Sequence, residues 1–321
     1  MNPMIRCCCV ALSCLLPCLA AQAQPYPNRP VNIVVPFAPG GVTDVLARLY
    51  ARKLSALLGG SFAVDNRAGA GGTIGTEFVA RAAANGYTLG MMIDSHTIAP
   101  ALFAKLSWHP TRDFAPISML AVGQHIIVAH PSFGPGSVRE LVDYAKPRPG
   151  EPYASSGSGT AQHLGMELLK LKAGIDLTHV PYKGGGQAIN DVVSGQVKLA
   201  ILGLAPVLPF VRTGQLKALA VTGESRMSIL PQTPTVGETI PDFLTLQWFS
   251  MMAPAGTPGD ILQKLHDALG QISQDPEVKQ RLAAIGLESR TSPTPADLIR
   301  FMEQDMQKWP QLVKAAGIKP E

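Results

Sequence analysis

The chain has 321 residues, 27 Lys and Arg against 23 Asp and Glu, a formal charge of +4 at pH 7, and 46% hydrophobic content. So mild a positive surplus suits a cleft that attracts anions and excludes the strongly basic footprint of a nucleic-acid-binding protein. Length beyond what one core usually serves, with only 16% charged residues, predicts a compact globular protein of two lobes.

The chain opens with one charge, Arg6, an apolar run from Cys7 to Ala20, and the small-residue triplet Ala21-Gln22-Ala23. That layout predicts a secretory signal peptide over residues 1–23, cut after Ala23. The run is too short to span a bilayer, which needs about 20 residues, and no later segment is long and apolar enough. All five cysteines, Cys7, Cys8, Cys9, Cys14 and Cys18, fall inside it. The mature chain is therefore expected to lack disulfides, thiolate metal sites and cysteine nucleophiles. Ala11-Leu12-Ser13 and Leu15-Leu16-Pro17 fit a lipid-attachment motif poorly, so a soluble periplasmic protein is expected, of charge +3 once Arg6 is removed from +4.

From Val31 onward, short Val- and Ile-rich runs alternate with segments of helical period, the pattern of βαβ units and a largely parallel sheet. Strands are predicted at Val31 to Val35, Phe62 to Val64 and Tyr87 to Ile93. Asp44 opens a helix with Leu46, Leu49, Leu54 and Leu57 recurring until Gly59-Gly60, and another helix runs through Ala84. A second series begins near Val122, with strands at His125 to Ala129, Tyr153 to Ser155, Leu177 to Val180, Lys198 to Leu202 and Leu216 to Val221. Between them Ser137 and Thr160 are predicted helix N-caps, their hydroxyls accepting from N–H groups of the first turn. Leu244 to Met252 reads as a last strand before C-terminal helices. If those helices pack on the first lobe, the chain crosses twice, near Leu120 to Gln124 and near Thr245 to Phe249, and the two strands make a hinge. Residues 24–121 with 248–321 then form the first lobe and 122–247 the second.

Four glycine-rich turns separate predicted strands from helices: Pro39-Gly40-Gly41-Val42-Thr43-Asp44, Ala68 to Gly75 with Ala70, Gly71 and Gly72, Ser155-Ser156-Gly157-Ser158-Gly159-Thr160, and Tyr182-Lys183-Gly184-Gly185-Gly186. In open α/β sheets such turns gather at the carboxyl ends of the strands, where ligands bind. Glycine lets backbone N–H groups come close to a ligand, and helix amino ends favour an anion by roughly 0.3 to 1 kcal/mol each, up to about 2 when partly buried.

Enzyme motifs are mostly missing. Gly69-Ala70-Gly71-Gly72-Thr73-Ile74-Gly75 misses the dinucleotide-binding spacing by one residue, and no phosphate loop, HExxH zinc motif or GxSxG elbow occurs. Ser156 or Ser158 with His163 is the one nucleophile and base combination, with no evident orienting carboxylate. It defines the alternative function, an exported serine hydrolase of small esters. The seven histidines lack metal-ligand spacing, so neither metal nor cofactor is expected. His163 is expected to hydrogen-bond in the cleft wall. For His96 cleft lining and loop packing both stay open, and for Lys183 an anion contact or a solvated chain.

At these turns a resemblance becomes specific. Pro36 to Arg48, Asn66 to Gly72 with Gly75, Asn85 to Leu89, Asp113 to Ile117, Tyr153 to His163, His179 to Gly185 and Ala253 to Pro258 resemble the Bug family, receptors of tripartite tricarboxylate transporters, in order over nearly all of the chain from Pro30. The resemblance implies a two-lobe fold like type II periplasmic binding proteins, with helices on both sheet faces and a discontinuous first lobe. It implies a small organic acid as ligand, held mainly by backbone amides and water, no enzymatic activity, and a monomer that serves membrane transporter subunits or a sensor protein. Carried onto this chain, the first-lobe anion loops are Pro39 to Asp44 and Ala70 to Gly72, with Ser95 and His96 nearby. The second-lobe positions are Ser155 to Thr160, His163 and Tyr182 to Gly185. This chain departs from the family at Asp94, often a small hydroxyl residue there, and at Leu202 and Gly203, often polar. A carboxylate beside an anion pocket costs Coulomb energy unless it is turned away, protonated or paired with a cation, which predicts a ligand less acidic than a dicarboxylate or one carrying an amine.

Overall fold

The computed structural model describes residues 26–318. The predicted signal peptide, its cleavage after Ala23 and all five cysteines lie outside them. The predicted strand Val31–Val35 forms as β1, with every residue but Asn32 buried. Helix α1 (Val42–Leu58) follows, burying Leu46, Leu49, Tyr50 and Leu54, and stops where Gly59 takes the left-handed conformation (φ 70) and returns its N–H to Ser55 O. Next come β2 (Phe62–Asn66), α2 (Thr73–Ala80), β3 (Thr88–Ile93), α3 (Ser95–Leu102) and β4 (Phe114–Ala129). Then follow α4 (Val138–Ala145), β5 (Glu151–Ser155), α5 (Ala161–Ala173), β6 (Leu177–Pro181), α6 (Gly185–Val193), β7 (Leu199–Gly203), α7 (Leu204–Arg212) and β8 (Lys217–Val221). The chain returns through β9 (Leu246–Pro254), α8 (Gly259–Gln274), α9 (Pro276–Ala284), β10 (Leu287–Ser289), α10 (Pro295–Met306) and α11 (Trp309–Ala315). Both predicted caps are present: Ser137 accepts from Glu140 N, and Thr160 from His163 N.

Each lobe is built on a parallel block, β2-β1-β3 in the first and β6-β5-β7 in the second. The crossing strands depart from the largely parallel expectation. β4 runs antiparallel to β9, β7, β8 and β10, and β9 antiparallel to β3. The reason is topological: a chain that leaves one lobe and comes back traverses the hinge in opposite directions. β4 is one 16-residue strand, where a strand starting at His125 was predicted. It pairs with β9 from Phe114↔Pro254 to Gln124↔Leu246, then changes neighbours to β7 and β8 from His125 and Ile126 onward.

Val31, Ile33, Leu46, Leu89, Ile117 and Phe249 anchor the first-lobe core. In the second lobe, Ile127, Tyr153, Met166 and Ile201 pack on one sheet face, while Ile126, Val128, Ala188 and Leu202 pack on the other. A smaller cluster joins the lobes: Ile98 and Leu102 of α3, Ala161 and Leu164 of α5, and Trp309 and Val313 of α11. Asp305 fastens this region. It is buried and accepts from Thr97 Oγ1 (2.6 Å) and from the indole N–H groups of Trp248 and Trp309 (3.2 Å each).

Candidate functional site

The turns after β1, β5, β6 and β7 sit at the carboxyl ends of parallel strands and meet across the hinge. Ala38 N donates to Lys183 O at 3.0 Å, tying the first-lobe lip to the second. The approach elsewhere is close enough to require glycine. Gly71 has φ 61 and lies so near Ser158 O that a Cβ would collide with it, and a Cβ on Gly186 would lie 2.6 Å from Pro39 O. The Pro39-Gly40-Gly41 turn is braced from within, since Asp44 accepts from Gly40 N (3.1 Å), Asn66 Nδ2 (3.1 Å) and Arg48 Nε (3.0 Å). Burial alone would raise the Asp44 carboxyl, but hydrogen bonds from Arg48, Gly40 and Asn66 hold it below the usual range.

Behind the lips lies a cavity of about 20 Å³, room for about one water molecule. Gly41, Thr43, Asp94, Ser156, Thr160, Gly185, Leu202 and Gly203 line it, all of them predicted positions. Three helix amino ends reach it, α1 at Gly41, α6 at Gly184-Gly185 and α7 at Gly203, and none carries a side-chain cap. Uncapped first-turn N–H groups with the helix dipole behind them are an anion-binding arrangement. Among the described residues no lysine or arginine lines the cavity. Nearer solvent a second hollow, about 170 Å³, is lined by Ala70, Gly71, Gly72, Ser156, Gly157, Tyr182 and Lys183, which places Lys183 at the mouth. Tyr182 OH donates to Asp191 Oδ2 at 2.6 Å.

The remaining predicted residues support the lips from behind. Ser155 is fully buried, its hydroxyl bridging His179 Nε2 (2.7 Å) and Gly157 (O at 3.2 Å, N at 3.1 Å). His163 stacks on His179 with centroids 4.0 Å apart, and its Nδ1 faces Gly159 N at 3.4 Å. Burial lowers these imidazoles, His163 to about 4 and His179 to about 3. Among the described residues no hydrogen bond joins Ser156 or Ser158 to His163, so the nucleophile and base pairing weighed from sequence is not assembled. Ser95 is buried beneath Gly72. His96 belongs to packing: Nε2 bonds Pro110 O (2.8 Å) and the ring stacks on Trp108.

Among the described residues Asp94 is the only ionisable side chain that lines the cavity behind the lips. It is 1% exposed, Oδ1 accepts from Ala161 N of the opposite lobe at 3.1 Å, and Oδ2 has no partner. Burial, opposed by the Ala161 bond, reinforced by the charge of Asp305 and opposed again by the nearby N–H groups of Asp94 and Ser95, pushes its carboxyl up to about 7. Sequence reasoning missed Phe37, Gln162 and Gln247 in the wall. Gln162 is the second residue of α5, where its Oε1 accepts from Ser156 N at 2.9 Å, so its place directly after the Ser155–Thr160 turn could have found it. Gln247 comes from a crossing strand and no local motif marks it.

A family model described as the tripartite tricarboxylate transporter family receptor matches residues 46–318. The protein BugT of Bordetella pertussis is 36% identical over 302 residues, covering 93% of this chain and 92% of that protein. Among solved structures, an R. palustris protein with adipate superposes with a TM-score of 0.88 at 35% identity, covering 92% of this chain and 100% of that one. MatC from Rhodopseudomonas palustris with bound malate gives 0.85 at 31%, over 90% and 100%.

Proposed function

The chain belongs to the tripartite tricarboxylate transporter receptor family, and we propose that it captures a small organic acid in the periplasm by closing its two lobes over it. One observation carries this reading: three uncapped helix amino ends, α1 from the first lobe and α6 and α7 from the second, converge on a single cavity without a cationic side chain. Such ends select negative charge, and N–H bonds to a carboxylate are the stronger, charge-assisted kind. Relatives of this chain hold adipate and malate, small organic acids of the class proposed here.

At about 20 Å³ the cavity is too small for such an acid, so the lips part to load it and stand wider apart in the loaded closed form than here. The ligand docks on one lobe, β4 and β9 bend where they change neighbours, and the second lobe's helix ends complete the enclosure. Ligand favours closure only by its higher affinity for that state. The closed pair of lobes then presents a joint surface to transporter subunits or a sensor protein in the membrane. This reading has no covalent step; it is favoured over the alternative of ester hydrolysis because, among the described residues, no hydrogen bond joins Ser156 or Ser158 to His163.

The test is thermal unfolding of protein stripped of ligand by denaturation and refolding, against malate, adipate and citrate. An acid at about 100 times its dissociation constant adds about 2.7 kcal/mol, a clear rise in melting temperature. If no carboxylate in a broad panel moves it, the proposal is wrong.

A further inference from the structure

The helix ends supply only donors, yet two groups in the same wall are acceptors without a donor. Asp94 Oδ2 and Gln247 Oε1 are buried, at 1% and 3% residue exposure, and neither makes a hydrogen bond of ordinary geometry among the described residues; the N–H groups of Asp94 and Ser95 lie near the Asp94 carboxylate but supply no such bond to Oδ2. Gln247 stands on β9, and Asp94 directly follows its neighbour β3. β3 pairs with β9 through Ile93↔Phe249, so Asp94 leaves the end of β3 close to where Gln247 enters β9. The Asp94 carboxylate is also held from both sides of the cleft, because Oδ1 takes the N–H of Ala161 from the opposite lobe. Asp305 lies near enough to add its negative field. Buried acceptors left without donors are costly and rare, which makes two in one cavity a request for a donor-bearing guest.

We propose that Asp94 and Gln247 form an acceptor subsite for an ammonium group, so that the ligand is an amino acid or amino-carboxylate whose carboxylate sits at the helix amino ends. This rests on the carboxylate-receptor reading and narrows it. An ammonium carries three donors and no acceptor, matching a carboxylate oxygen and an amide oxygen. A dicarboxylate would bring a second negative charge against Asp94 in a low-dielectric site.

Calorimetric titration of the ligand-stripped chain at about pH 8, where an alkylammonium such as that of lysine keeps its proton, compares malate with aspartate and adipate with 6-aminohexanoate. The wild type is expected to bind the amino member of at least one pair about tenfold or more tightly, the scale of a charged hydrogen bond. Asp94→Asn keeps an acceptor for Ala161 N but removes the charge, and should erase or reverse that preference. Gln247→Leu should weaken the amino member alone, and it stands in should Asp94→Asn fail to fold. Equal or tighter binding of malate and adipate than of their amino partners, or a preference that survives both substitutions, overturns the subsite while leaving the carboxylate reading in place. If none of the four acids binds, the carboxylate reading fails for this set and the subsite falls with it.

Discussion

Replacing Gly186 with alanine separates closure of the lobes from folding of either one. Gly186 lies in the first turn of α6 and is not among the positive-φ glycines, so alanine fits its backbone without strain. The three nearest atoms to an added Cβ all belong to the opposing lip: Pro39 O at 2.6 Å, and Gly40 C and Cα at 3.5 Å. Ordinary contact begins at 3.4 Å, so the lips must separate by about 0.8 Å at this point. Overpacking of this kind costs about 1–3 kcal/mol. Charged entirely to the closed state, that shifts the open-to-closed ratio about 5- to 150-fold toward open. Gly71→Ala would be a poorer probe, since its positive φ mixes backbone strain with the collision. Small-angle scattering of the ligand-free protein reads the effect as a larger radius of gyration for Gly186→Ala. Gly270→Ala, on α8 with no neighbour within 4 Å, should match the wild type. If the Gly186→Ala curve superimposes on wild type, contact between the lips does not govern closure and the reasoning is refuted.

Acid should destabilise the fold between about pH 6.5 and 4. Burial lowers His96 and His163 to about 4, and His125 and His179 to about 3, so the unfolded chain takes up protons in that window while the folded chain does not. Asp94, raised to about 7, has the opposite sign and gains stability as pH falls, one group against four. Calorimetry should therefore find a lower melting temperature at pH 5 than at pH 7.5, and an unchanged or higher one would contradict these placements. Asp305→Ala should cost about 3 kcal/mol or more, because it strands three buried donors at about 1–3 kcal/mol each. Asp305→Asn, which keeps an acceptor, should cost less. Denaturant unfolding measures both, and a loss under about 1 kcal/mol for the alanine variant would remove Asp305 as the fastener of α3, α10 and α11.

Much of the architecture was legible locally. β1 coincides with the Val31 to Val35 run, and Ser137 and Thr160 cap the helices they were expected to cap. Gly40, Gly41, Gly71, Gly157 and Gly185 stand in turns where strand passes to helix. These features follow from apolar period, hydroxyl capping and the backbone freedom of glycine, all of which operate within a few residues. What tertiary structure alone decided is long-range. The antiparallel run of β4 and β9 depends on a return journey more than a hundred residues later. His96 is a core residue because Trp108, Phe114 and Pro110 close around it. Asp44 is tied to β2 because Asn66 reaches it from there. Sequence marked Asp94 as an unusual carboxylate near an anion pocket. Only the packing of Ala161 from the other lobe, with Gln247 alongside on β9, left one of its oxygens without a donor, since burial and partner count belong to the assembled molecule and to no local stretch of chain.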